Sequence, residues 1–228
     1  MKLNYLTIVF DRSRNVIPAG ILETTSESEI NDWCSRLLSE SAFMTEHILR
    51  VMNKEMSFDC KRINFICTNK KPRIGIRDFE SVHELDVPFD IAYFSYSTEQ
   101  KRDYLFELLT NGLRILCELK RWNFQLFEKH LNILRENHYH VEFYLENRQK
   151  KNGDTVAKVF GVQTMYEATF YIDFLQKNKL VQRKPLMVPR TESMLYKYYI
   201  DHIVWVDHNT VAVYDFMEDN VVYVSMNT

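Results

Sequence analysis

STEQKRDYLFELLTNGLRILCELKRWNFQLFEKHLNILRENH, residues Ser97 to His138, carries apolar side chains at helical spacing: Leu105, Leu108, Leu109, Leu113, Leu116 and Leu119, then Leu126, Phe127, Leu131 and Leu134. Ser97 followed by Gln100 makes a capping-box start, in which each side chain satisfies a backbone donor at the helix N-terminus. One unbroken helix over this stretch would be about 60 Å long. A compact domain of this length has a radius of gyration of about 17 Å, so such a rod would protrude from it. The spacing therefore predicts a break at Arg121-Trp122-Asn123, with Asn123 capping a second helix that runs to Asn137 and folds back as a hairpin. Gly112 lies inside the first helix, at a cost of about 1 kcal/mol relative to alanine. It permits close packing against a neighbour, or it is a tolerated exposed position.

Working outward from the hairpin, the N-terminal side reads as a mixed α/β layer. Residues 3–10 form a strand, and the turn at Asn15 to Gly20 leads to a second short strand around Ile21-Leu22. Thr25 to Glu29 starts a helix whose apolar face is Ile30, Trp33, Leu37 and Leu38. Beyond a break at Ser39 the face continues through Ala42, Phe43, Ile48, Leu49 and Met52. Lys61 to Thr68 is a strand with Ile63, Phe65 and Cys67 on one side, and Ile74 to Phe79 is another. The nearly continuous apolar run Phe89 to Tyr96 suits a strand covered on both faces.

On the C-terminal side the period changes to two. Tyr139, Val141, Phe143 and Leu145 alternate with His140, Glu142, Tyr144 and Glu146. Asn147 to Asp154 reads as a polar loop ending in the hairpin signal Asn152-Gly153, and Val156 to Val162 returns as the partner strand. Residues 164–175 fit either period, but their Thr, Tyr, Phe and Ile content favours a strand. Lys177-Asn178 is then a hairpin tip, with Leu180 to Met187 returning. A helix or loop follows from Thr191. His202 to Val206 and Thr210 to Phe216 form a further hairpin, and Val221 to Val224 adds an edge. The fold class is α+β, comprising a mixed layer, a helical hairpin and an antiparallel meander. We read it as one domain, 1–228, that admits a subdivision into 1–96 and 97–228.

Composition narrows the function. The chain has 228 residues with 46% hydrophobic and 14% aromatic content, enough for a substantial core. Glycine and proline number five each, which argues against glycine-rich phosphate loops. A net charge of -2 lacks the electrostatic footprint of a general nucleic-acid binder. Four cysteines occur without a CxxC pair, so zinc-ribbon spacing is absent. Cys34 and Cys117 fall in apolar helical patterns and are expected to be buried, inert thiols. The inferred setting is reducing and cytoplasmic. The short N-terminal apolar run lacks a cleavage site, and no stretch approaches a membrane span.

Candidate chemistry is sparse. His138, His140 and Glu142 share a face if the strand period extends through them, and two imidazoles with a carboxylate can hold a metal ion. That side of the strand is also its solvated side, and a histidine near a helix C-terminus suits the macrodipole. Asp201-His202 and Asp207-His208 resemble a charge-oriented base, yet neighbours on a strand point to opposite faces and no G-x-S-x-G turn accompanies them. The basic runs Lys70-Lys71-Pro72-Arg73, Lys120-Arg121-Trp122 and Arg148-Gln149-Lys150-Lys151 fall where the chain turns in water. An acidic group of Asp207, Asp215, Glu218 and Asp219, with Glu142 and Glu146 on the meander, is suited to a basic protein partner.

The run from Tyr96 to Leu145, with its Trp-Asn step between two helices ahead of a meander, resembles a helical hairpin of small bacterial proteins. The ending Ile203 to Phe216 (IVWVDHNTVAVYDF) is similar in shape to theirs. Proteins of this style include immunity proteins of polymorphic and contact-dependent toxins. The resemblance implies a non-catalytic protein that binds and blocks one cognate toxin, with no cofactor and no membrane association; no site residues transfer with it. The rival expectations are a metal-dependent enzyme centred on His138, His140 and Glu142, and a structural domain that self-associates through exposed tyrosines.

Overall fold

Alternation of apolar and polar residues over the first ten positions produces β1 (Tyr5–Phe10), the edge of a mixed sheet. The computed structural model describes residues 1–188 and 199–226. It comprises two compact units, Met1–Tyr139 and His140–Thr228, and the helical hairpin belongs to the first.

In the first unit β1, β2 (Arg62–Thr68) and β4 (Val82–Pro88) run parallel, and β3 (Ile76–Phe79) closes the edge antiparallel, in the order β1-β2-β4-β3. Register aligns Leu6, Ile63 and His83 in one row and Ile8, Phe65 and Leu85 in the next, all buried. The opposite side carries a polar row in which Thr7 donates to Asn64, Asn64 to Glu84, and Arg77 pairs with Glu84.

The connection from β1 to β2 holds α1 (Ala19–Thr24) and α2 (Glu27–Glu55). The short strand expected at Ile21-Leu22 is α1 instead. Pro18 presets the backbone just before the first turn, and Leu22 is exposed rather than paired in a sheet. The break expected at Ser39 is also absent: α2 is one helix of 29 residues with a Ser26/Glu29 capping box. Ser41 and Thr45 return their hydroxyls to helix carbonyls, so they interrupt the apolar pattern without interrupting the helix.

A further correction concerns Phe89 to Tyr96. The strand lies just before it, as β4, and Ile91–Ser95 is a 3-10 turn started by Asp90, whose side chain accepts from the Ala92 amide at 2.9 Å. Phe89, Tyr93, Phe94 and Tyr104 form an aromatic cluster there, which explains the apolar run without a strand.

The helical hairpin is α3 (Thr98–Lys120) and α4 (Phe124–Glu136). Ser97 and Gln100 form the capping box, Arg121 adopts the left-handed region at φ 58, and the Asn123 side chain caps α4. Arg135 reaches back to Glu107 at 2.8 Å with its guanidinium over Phe106, so α4 lies along α3. Gly112 is the close-packing kind: a methyl group added there would meet the Phe65 ring at 3.0 Å.

The second unit contains the meander β5 (Val141–Asn152), β6 (Thr155–Gln163), β7 (Ala168–Gln176) and β8 (Lys179–Leu186), and a sheet of β9 (His202–Trp205), β10 (Thr210–Tyr214) and β11 (Val221–Ser225) in the order β11-β10-β9. The loop expected from Asn147 is largely strand, because a register shift between Tyr144 and Gln149 lets the polar run continue pairing to Asn152. Gly153 at φ 57 makes the turn. The helix or loop expected from Thr191 lies outside the described residues, apart from Tyr199–Ile200. Phe143 and Phe170 close over Gly161, and Trp205 packs on Phe174 while donating to the Lys150 carbonyl, which joins the two sheets.

The chain is thus α+β. Among the described residues no helix is long and apolar enough to cross a membrane. Cys117 is buried as expected, whereas Cys34 is exposed on α2.

Candidate functional site

Within the meander, the period of two sends Phe170, Ile172 and Phe174 to one face of β7 and Tyr171 and Asp173 to the other. Register sets Asp173 opposite Arg183 on β8 and Lys158 on β6. Arg183 grips the Asp173 carboxylate with two parallel bonds, Nε to Oδ1 at 2.7 Å and Nη2 to Oδ2 at 2.8 Å. The Tyr144 hydroxyl donates to the same Oδ2 at 2.8 Å. The Asp173 side chain is 0% exposed, whereas that of Arg183 is 36% exposed.

The guanidinium lies 3.7 Å from the Phe160 ring centroid and 5.5 Å from that of Tyr171, and the Lys158 ammonium sits over Tyr144. The bonds to Asp173 hold the Arg183 pKa above its ordinary value, against the opposing effect of partial burial. The Tyr144 hydroxyl is raised as well, by burial first and then by its bond to Asp173.

This arrangement has a chemical consequence. A carboxylate has about four acceptor positions, and in Asp173 three of these are occupied by Arg183 and Tyr144. Its role is to fix an arginine. Two of the five guanidinium N–H groups are engaged by Asp173, and the cation, also bonded to the Tyr144 side chain, is held rigid and aromatic-lined at the sheet surface.

The residues singled out from sequence fall as follows. Glu142 is exposed on β5, and its charge contributes to holding Arg183 protonated. Glu146 is on β5, and its side chain lies outside the described set. Asp207 accepts from the amides of Asn209 and Thr210, which hold its carboxyl below the usual range. Asp215 accepts from the Asn220 side chain at 2.6 Å and the Asp219 amide at 3.0 Å, and its pKa is lowered likewise. Glu218 and Asp219 are exposed in that second turn. Asp207 and the other three therefore lie at opposite ends of β10, about 17 Å apart at strand rise.

His138 and Tyr139 both have positive φ, at 52 and 61, so the two-residue period begins only after them. His138, His140 and Glu142 are each exposed. His202 Nδ1 does reach its neighbour Asp201, at 3.0 Å, because Asp201 precedes the strand instead of lying in it. Asp201 also pairs with Arg148 at 3.5 Å, and His202 stacks on Tyr214. Of the basic runs, Lys70 donates to the Ser13 carbonyl and Lys120 pairs with Asp59.

In the first unit the ionisable clusters not expected from the sequence include the following two, besides Asp86 held by Arg14 and Arg77. Lys101 Nζ lies 2.7 Å from Glu40 Oε1, both side chains being almost fully buried, and the Tyr93 hydroxyl donates to Glu40 Oε2.

The second cluster gathers Asp59 and Cys60 from the segment before β2, Asp78 from β3, His83 from β4 and Lys120 from the end of α3. His83 Nε2 is 3.0 Å from Asp59, its Nδ1 faces Asp78, and Lys120 Nζ is 2.7 Å from Asp59 and 3.6 Å from Asp78. Burial works against ionisation of Asp59, but its bonds from Lys120 and His83 outweigh this and lower its pKa. Burial, with Asp59 adding to it, pushes the Cys60 thiol up to about 11.

A sequence signal for this cluster did exist. The run Val82 to Val87 alternates, and it puts His83 on the same side as Leu85 and Val87.

No protein-family model matches the chain, and neither a curated protein nor a solved structure does.

Proposed function

We propose that this chain is a non-catalytic protein-binding module of the immunity type, a cytoplasmic protein that neutralises a cognate toxin by covering its active site. The observation that carries the reading is the treatment of Asp173. A fully buried carboxylate is committed to holding Arg183 in one orientation between aromatic rings, beside Tyr144 and Lys158. Arginine and tyrosine are the residues that dominate binding energy at protein interfaces, and a pre-oriented side chain loses little freedom on docking. Glu218 and Asp219, whose amides bond to Asp215 while the residues themselves are exposed, add a negative patch suited to a nucleic-acid-binding toxin surface.

The test is co-expression with the toxin encoded beside this gene. The expected results are rescue of growth and a stoichiometric complex that weakens when Tyr144 and Lys158 are replaced together by alanine. Lack of a neighbouring toxin gene, or rescue unaffected by these substitutions, counts against the reading.

A further inference from the structure

Independently of protein binding, the cluster in the first unit has the donor set of a metal centre. One ligand atom each from Asp59, Cys60 and His83 lies within 4.8 Å of the others, with Cys60 buried and His83 only 5% exposed at the side chain. We propose that Asp59, Cys60 and His83 form a zinc-binding site in which Asp78 orients His83.

The chemistry argues for zinc over the hard cations. One thiolate, one imidazole and one carboxylate match the mixed sulfur, nitrogen and oxygen preference of Zn²⁺, whereas Mg²⁺ and Ca²⁺ take oxygen donors. His83 presents Nε2 toward Asp59 while its Nδ1 faces Asp78. In a carboxylate–histidine–metal arrangement an outer carboxylate favours the tautomer that leaves Nε2 for the ion; here Asp78 lies close to Nδ1 without an aligned hydrogen bond, so it acts through its charge. Lys120 already spans both carboxylates, so it retains Asp78 when Asp59 turns to the metal.

Binding forms Zn–S, Zn–N and Zn–O bonds and releases the thiol proton of Cys60 and any proton on His83 Nε2 to solvent. With His83 neutral and its proton on Nδ1, only the Cys60 proton leaves as the divalent ion arrives, and the cluster gains one positive charge. Three protein ligands leave a fourth tetrahedral position for water.

The experiment is titration of the full chain, purified without a histidine tag, with Zn²⁺ and separately with Co²⁺. The expected result is one ion per chain, with a thiolate-to-cobalt charge-transfer band that is lost in Cys60→Ser. His83→Gln loses binding, and Asp78→Asn weakens it about 10–100-fold. Lys120→Met separates the proposal from a purely structural ion-pair cluster. It removes the cation competing for Asp59, so zinc binds as tightly as in the unsubstituted chain or more tightly. Circular dichroism on each variant reports folding. Failure of the unsubstituted chain to take up stoichiometric zinc overturns the proposal, as does a cobalt spectrum unchanged in Cys60→Ser.

Discussion

Replacing Arg183 by alanine removes the partner that Asp173 was buried to meet. Asp173 is 0% exposed at its side chain and, among the described residues, would retain the Tyr144 hydroxyl alone as a side-chain partner. Breaking a buried ion pair from one side costs about 3–5 kcal/mol. Arg183 is itself one-third open to solvent, so water enters behind the truncated side chain and the expected cost sits near the lower bound, about 3 kcal/mol. Loss of the guanidinium from the Phe160 face is part of that figure. Against a typical total of about 5–15 kcal/mol this is a large fraction.

Amide hydrogen exchange over β6 to β8 reads the effect locally. At about 1.36 kcal/mol per decade, protection falls by about two orders of magnitude. The double variant Asp173→Leu with Arg183→Met replaces the pair by apolar side chains and is expected to recover most of the loss. A shift under about 1 kcal/mol in Arg183→Ala, or a double variant no better than the single, would refute the assignment of Asp173 as a carboxylate buried for its partner.

Glycine substitutions test the packing. Gly112→Ala gains helix propensity but pushes a methyl against the buried Phe65 ring, and Gly161→Ala brings one within 2.9 Å of both Phe143 and Phe170. Each is expected to lower stability by about 1–3 kcal/mol in urea unfolding, and a stabilised Gly161→Ala would contradict the close approach.

His47 sets a pH dependence. Burial first, then the charges of Arg50 and His130, lower its pKa to about 4 from 6.5. The unfolded chain therefore takes up a proton near 6.5 that the folded chain refuses until about 4. Its contribution is complete above pH 6.5 and is lost as pH falls toward 4, by up to about 3 kcal/mol. Unfolding titrations of His47→Leu are expected to be flatter across that window; an identical slope would show that another group is responsible.

The helical hairpin was legible because its evidence is local: a capping box, a period and a capping asparagine within a few residues of one another. The meander was legible for the same reason, down to the Asn152-Gly153 turn and the strand reading of residues 164–175, which holds from Ala168 on, whereas Thr164 to Glu167 form a turn. What escaped depends on partners far along the chain. The alternation of Val82 to Val87 puts His83 with Leu85 and Val87, but only the fold shows that Asp59 comes to meet His83 and Arg14 to meet Asp86. Phe89 to Tyr96 misled, since an aromatic cluster and a buried strand leave the same apolar trace. Asp173 and Arg183 stand ten residues apart across a hairpin whose register, rather than any motif, joins them.

The proposed recognition through the Arg183 face is measured most directly by the dissociation constant of a purified complex with the toxin proposed as its partner. The comparison is between the unsubstituted chain and the folded double variant Asp173→Leu/Arg183→Met. A hot-spot contribution of about 2 kcal/mol or more predicts affinity weakened about 30-fold or beyond. An unchanged dissociation constant in the folded double variant would contradict the account.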